Sequence, residues 1–408
     1  MKLPILALSV PLGIMLSPES LVRLGNLAGG GSFSHLLLAL AALVAALGAG
    51  LILHPGLSSR GEGATLLLSR ELGSVPAATL LLSSRISVTL LAATAVLVTA
   101  GYAFNEIFLY WFPNFGFAFL LLFLVLAANL AGERWALRLQ VLAALLALSC
   151  LCILLFLGVL AEGAPLEAQS PINPSPHLAL GAVLLFLGYD LVSPAENGPS
   201  RGAVLVLLGL VLLLFSCWAG ISAHFVAWSS LADSTIPHIL AAKRMLGQPG
   251  RYLIGTVVIC GAVAMVNGLF IATTRTWLAL SAQQLVPRFF QGRNQGRFYC
   301  LLSALVIGVL MMSGLAGEEE LELYLRGALL LWLLKLGAHS LAASRHLRGS
   351  HAGVFASGMV VSCLFFGIVF GLLFTDPNRV QLTGFILLTL AGTAGFSWSW
   401  QQVVKRYL

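Results

Sequence analysis

No connection between the apolar runs of this sequence is long enough to fold as a soluble domain, and charge is scarce. Asp, Glu, Lys and Arg together make 9% of the 408 residues while 59% are hydrophobic, against about a quarter charged in soluble domains. That balance implies a polytopic membrane protein. The six cysteines, Cys150, Cys152, Cys217, Cys260, Cys300 and Cys363, fall nearly all within apolar runs. They lack both metal-ligand spacing and the look of a secreted disulfide framework, so they read as small packing residues. Also missing are H-E-x-x-H, paired aspartates and any nucleophile with its base, which an intramembrane enzyme would need. The opening MKLPILALSVPLGIMLSPES has the basic flank and apolar core of a signal peptide but no A-x-A-type site, and is read as a retained first span. The net charge of +7 is spread singly among apolar stretches, a placement that orients spans in a lipid bilayer and does not suit nucleic acid as a partner.

A helix needs about 20 mostly apolar residues to cross the hydrocarbon. Runs of that kind fall at 4–29, 35–53, 78–104, 115–131, 135–160, 177–197, 202–224, 252–282, 298–314, 323–344, 353–374 and 380–402. They give about twelve spans, numbered in that order, and an even number puts both termini on one side. The termini and the alternate loops near 54–77, 132–138, 198–202, 275–297 and 345–351 hold 14 Lys and Arg, against 6 in the opposite loops and their helix ends. The positive-inside rule then makes both termini cytoplasmic, with the protein in the cell (inner) membrane. The longest opposite connection, SSLADSTIPHILAAKRMLGQPGR, is expected to hold a short amphipathic helix.

Two spans carry breakers in mid-course. Span 1 has Pro11, Gly13 and Pro18 in VPLGIMLSPES, and span 6 has Gly188 and Pro194 around Asp190 in FLGYDLVSPAENGP. Each weakens the helical hydrogen-bond ladder, and unwound backbone in a membrane is tolerable only where it faces a cavity or buried protein. Interrupted segments in corresponding places of two halves point to an inverted-repeat transporter with its site at the midplane. The repeats would be 1–160 and 177–346, with two additional spans in 353–408. Span 1 is expected to be non-helical near Gly13 to Ser17 and span 6 near Gly188 to Asp190, the two breaks facing each other.

GYDLVSPAENGPSRG resembles the GF(D/E)...AEE..NP.R segment around span 6 of the amino acid, polyamine and organocation transporter superfamily, with one of the paired glutamates missing and Gly-Pro in place of Asn-Pro. After span 8, NGLFIATTRTWLALSAQQLVPRFF is similar to that family's N....A..R..YA.A.D..LP..F, with Arg275, Ala279 and Pro287 in place. GEGATLLLSRELGS, entering span 3, is similar to its GGAY.Y.....G. The family's glycine-rich G.G.GIF..P in span 1 is reduced to Gly13, Ile14 and Pro18, with Glu19 added. The resemblance implies an all-α integral membrane protein of the leucine-transporter type, a five-plus-five inverted repeat with broken spans 1 and 6. It also implies that an amino acid or related amine is moved between them. Substrate contacts are then expected from Gly13, Ile14 and Ser17 in span 1 and from Phe186, Leu187, Gly188, Tyr189 and Asp190 in span 6. Amides opening the outer half of span 1 favour a carboxylate, and loose carbonyls near Phe186, Leu187 and Gly188 suit an ammonium.

Lys335 falls near the centre of span 10, with His339 four residues on and so on the same face. Charged groups at that depth normally face a pathway or a partner, and a coupling role is expected of both. Asp190 and Lys335 are expected to lie close to one central cavity, because proximity lowers the cost of each. Glu19 and Arg23, one turn apart, read as a local pair. Thr273 and Thr274 stand side by side in span 8, where sodium-coupled relatives of this fold hold the ion between hydroxyls and carbonyls of broken span 1. No organic cofactor is expected. Sodium is one coupling ion, and a proton carried through Asp190, Lys335 or His339 is the other. Two functions stay open: secondary transport by alternating access, and an amino-acid sensor of transporter ancestry that binds without transporting.

Overall fold

The computed structural model describes residues 3–31, 33–54, 57, 64–161, 175–192, 200–287, 293–314, 319–348 and 352–407, and every regular element among them is helical. Ten helices are long and apolar enough to cross a membrane, and the bent pair in span 1 makes an eleventh crossing. The remaining place, the sixth along the chain, is filled by the shorter interrupted segment Pro176–Leu191. The twelve expected segments are thus ten continuous helices, one bent pair and one interrupted stretch. The protein is a multi-pass membrane protein.

Span 1 consists of α1 (Leu3–Met15) and α2 (Pro18–Ala28), and span 2 is α3 (Phe33–Ile52). A short helix, α4 (Ala64–Leu72), leads into span 3, α5 (Ser74–Ile107), followed by spans 4 and 5, α6 (Asn114–Ala131) and α7 (Glu133–Leu160). Span 6 contains α8 (Pro176–Gly181) and two 3-10 turns, Ala182–Phe186 and Tyr189–Leu191; span 7 is α9 (Arg201–Phe225). The connection expected to hold an amphipathic helix contains α10 (Trp228–Ala232) and α11 (Pro237–Leu246). Spans 8 to 12 are α12 (Gln248–Ala282), α13 (Arg293–Met312), α14 (Glu319–Leu347), α15 (Ala352–Thr375) and α16 (Arg379–Tyr407).

Burial separates the centre from the rim. The apolar windows of α5, α12 and α14 are 83%, 83% and 89% buried, whereas that of α16 is 11% buried. Spans 3, 8 and 10 are therefore the posts around which the others pack, and span 12 presents its apolar surface to lipid. Without a hydrophobic driving force between helices in lipid, close packing depends on small residues. Span 8 supplies them: Gly261 lies directly beneath the Leu16 carbonyl of the span 1 break, and Gly268 faces Val10, leaving 3.3 Å to a Cβ. Alternate connections gather at one end of the bundle, as an up-and-down order requires. His346 bonds Glu71 there at 3.0 Å, and Trp400 Nε1 donates to the Gln284 carbonyl at 3.0 Å. At the opposite end Arg251 pairs with Glu106 and Arg326 with Asp376.

Candidate substrate site between the broken spans

The span 1 break is short. Pro18 opens α2, where its missing N–H costs nothing, and Ser17 caps it, its hydroxyl accepting the Ser20 N–H at 3.3 Å. Ser17 donates its own N–H to the Ile14 carbonyl at 3.2 Å, and Ser20 Oγ donates to the same carbonyl at 3.4 Å. Only Leu16 and Ser17 leave the helix, and the two halves bend by 49°. Gly13 and Ile14 remain inside α1, so the unwound stretch is narrower than Gly13 to Ser17. Local hydroxyls close the ladder early, and Pro11 does not open it.

Span 6 comes apart more thoroughly. Ser175 caps α8 at Leu178, but after Gly181 the winding tightens to 3-10. Leu187 is extended and Gly188 takes φ +111, a conformation that a side chain resists. A Cβ on Gly188 would stand 3.2 Å from the Cβ of Ile14. The two broken spans thus meet, Gly188 of the span 6 break lying against Ile14 in the last turn of α1. Pro194 lies outside the described residues.

The side chain of Asp190, two residues beyond that contact, is fully enclosed. Its Oδ2 accepts from Arg85 Nη2 of span 3 at 2.6 Å and from Lys335 Nζ of span 10. Its Oδ1 accepts from the Trp332 indole N–H at 2.9 Å. Side-chain exposure is 8% for Arg85, 3% for Lys335 and zero for Asp190. The Arg85 guanidinium also lies over the Trp332 ring, 5.2 Å from its centroid. Each charge inside a membrane costs roughly 2.5–3.5 kcal/mol on insertion scales, and the shared carboxylate offsets much of that cost.

The other expected contacts divide. Gly13 faces spans 8 and 5, since a Cβ there would meet Ala264 Cβ and Gln140 Nε2, each at 2.7 Å. Ser17 is spent on capping. Phe186 and Leu187 are buried, and Phe186 packs on Phe215 of span 7 with ring centroids 5.9 Å apart. The Gly188 carbonyl accepts the Leu191 N–H at 3.0 Å. Tyr189 is buried with its hydroxyl against Gly48 of span 2 and no hydrogen-bond partner. His339 is buried one turn beyond Lys335. Thr273 turns inward to Thr89 of span 3, hydroxyls 2.6 Å apart, whereas Thr274 turns to Cys300 of span 9. The pair stands some twelve residues along α12 from Gly261, about 18 Å at 1.5 Å per residue, so it does not meet the span 1 break. The Glu19–Arg23 pair is present at 2.8 Å.

Arg85 and Trp332 escaped sequence reasoning. Trp332 stands three residues before Lys335, which puts both on one helix face, and Arg85 is with Lys335 one of two basic residues lying in span interiors.

No family model matches the chain, and no curated protein sequence does. Solved structures do. A sodium-coupled sialic acid symporter, substrate-bound and outward-open, aligns at TM-score 0.60 and 11% identity over 91% of this chain and 88% of its own. A variant of the Eremococcus coleocola manganese transporter aligns at 0.58 and 12% identity, over 99% of this chain and 96% of its own. The same transporter in complex with an aromatic bis-isothiourea compound gives 0.56 at 13% identity. At these identities the likeness is one of architecture, and the fold is of the leucine-transporter type.

Proposed function

We propose that the protein is a secondary transporter of a small organic solute bearing a carboxylate, amino acids being the class that the sequence resemblance implies. The carrying observation is the meeting of two broken spans at Ile14 and Gly188, beside a buried carboxylate held from spans 3 and 10. A related amine fits less well, because Asp190 already receives three donors. In this reading residues 1–160 and 177–346 are the two inverted repeats, 353–408 adds two spans, and both termini face the cytoplasm. Spans 1, 2, 6 and 7 rock against the remainder. The sodium-coupled symporter among the structural neighbours supports a sodium gradient as the driving force. Thr273, whose hydroxyl meets Thr89 of span 3, would join an ion site between spans 3 and 8 and away from the span 1 break, and Thr274 would not.

Counterflow of labelled amino acids and organic acids in proteoliposomes, with and without a sodium or proton gradient, tests this reading. Sodium-stimulated accumulation is expected, lost in Thr273→Val and kept in Thr274→Val. Accumulation that follows pH and ignores sodium would move coupling to Asp190, Lys335 and His339. Saturable binding with no counterflow would favour a sensor.

A further inference from the structure

The Asp190 cluster does not balance. Two cations, Arg85 and Lys335, share one carboxylate, and all three side chains are more than nine-tenths buried. Among the described residues no second carboxylate bonds either cation, and the three side chains taken together carry one surplus positive charge. The arginine is also underused. A guanidinium offers five N–H donors in a planar fork suited to two carboxylate oxygens. Asp190 takes only the Nη2 prong, because its other oxygen is engaged by Trp332, and the buried Arg85 Nε has no partner among the described residues. An unpaired buried donor on a charged group is costly to leave.

The span 1 break points the same way. In many helix-end sites bare amides receive a carboxylate. Here Pro18 lacks an N–H, the Ser20 N–H is taken by Ser17 and the Leu21 N–H by the Ser17 carbonyl, so few amides of the first turn are left for an anion and side chains carry the larger share. We infer that the ligand of this site is a net anion, an organic carboxylate whose oxygens pair with the Arg85 Nε edge and whose charge completes the Arg85–Asp190–Lys335 set. This deepens the transporter reading and rests on it only for the site's location between the broken spans. An amine would add a second surplus cation, and a zwitterion would leave the surplus where it is.

The full chain, purified in lipid nanodiscs, is titrated with propionate, aspartate, alanine, propylamine and potassium chloride while its melting midpoint is followed. Propionate and aspartate are expected to raise the midpoint at concentrations at least tenfold below alanine, with propylamine inert and chloride no better than alanine. Arg85→Gln is expected to weaken propionate at least tenfold, and Arg85→Lys, which keeps the charge without the fork, less than that. Charge variants separate recognition from mere structure: Lys335→Met should weaken propionate, whereas Asp190→Asn, which leaves two unpaired cations, should tighten it. Protection by propylamine or chloride alone, alanine equal to propionate, or both charge variants moving in the same direction would each overturn the inference. Should Arg85→Gln or Asp190→Asn fail to fold, the ligand panel and Lys335→Met, which leaves the Arg85–Asp190 pair in place, still decide. Counterflow of an amine would sink the anion inference and leave the transporter standing, and anion binding without counterflow would do the reverse.

Discussion

The two breaks solve one problem in different ways. In span 1 the backbone leaves the helix for two residues, and Ser17 and Ser20 satisfy the loosened groups from within the same strand of chain. In span 6 the α-helix gives way to tighter 3-10 winding from Ala182 onward, a glycine at φ +111 turns the chain, and the polar chemistry is passed to a side chain, Asp190, that must find partners on spans 3 and 10. The first break is locally closed, whereas the second is tied to the rest of the bundle. Span 1 thus satisfies its break with its own hydroxyls, whereas span 6 carries a charged group that spans 3 and 10 hold.

That contrast can be broken from either side. The largest effect is expected for Asp190→Asn, which leaves two buried cations without counter-charge at a cost of about 3–5 kcal/mol. Adding Lys335→Met should recover part of the loss in thermal unfolding, because the pair is coupled. Next comes acidification at α11, where Pro237 packs on Gly25 of α2 and the following residue, His238, is buried with neither ring nitrogen bonded among the described residues. Burial pushes this imidazole down from 6.5 to about 4. Below pH about 6.5 the unfolded chain takes a proton that the folded chain refuses, so stability is complete above that pH and falls toward pH 4, by about 3 kcal/mol. His238→Leu should flatten the melting midpoint across that window. Gly188→Ala forces a side chain into a positive φ and onto Ile14, at about 1–3 kcal/mol. Adding Ile14→Ala relieves the contact but not the backbone, so only part should return. Ser17→Ala, which removes only a cap, should cost about 1 kcal/mol in the same assay.

Much of this was legible in the sequence, because apolar length, proline and glycine act locally. The span order and the facing of the two broken spans followed from them, and the closeness of Asp190 and Lys335 followed from the cost of charge inside a membrane. The extent of the span 1 break did not, since Gly13 is needed for close packing on Ala264 and Gln140, and glycine spacing alone does not tell packing from unwinding. Arg85 was hidden by a boundary. A span beginning at 78 leaves it within two turns of the membrane edge, where an arginine can reach water. The helix begins at Ser74, which carries Arg85 a turn deeper. The diverging directions of Thr273 and Thr274 follow from the 100° step between neighbours on a helix, which residue type does not reveal.

The Asp190 junction also has a bearing on speed. It joins span 6 to spans 3 and 10 through three hydrogen bonds, two of them between full charges. Each bond to a charged group contributes about 1.5–3 kcal/mol, and every 1.4 kcal/mol added to a barrier slows a step about tenfold. Any movement of span 6 away from those posts must release these bonds together or carry its partners along. The junction thus acts as a latch between span 6 and its posts, and its release sets the pace of any movement that separates them.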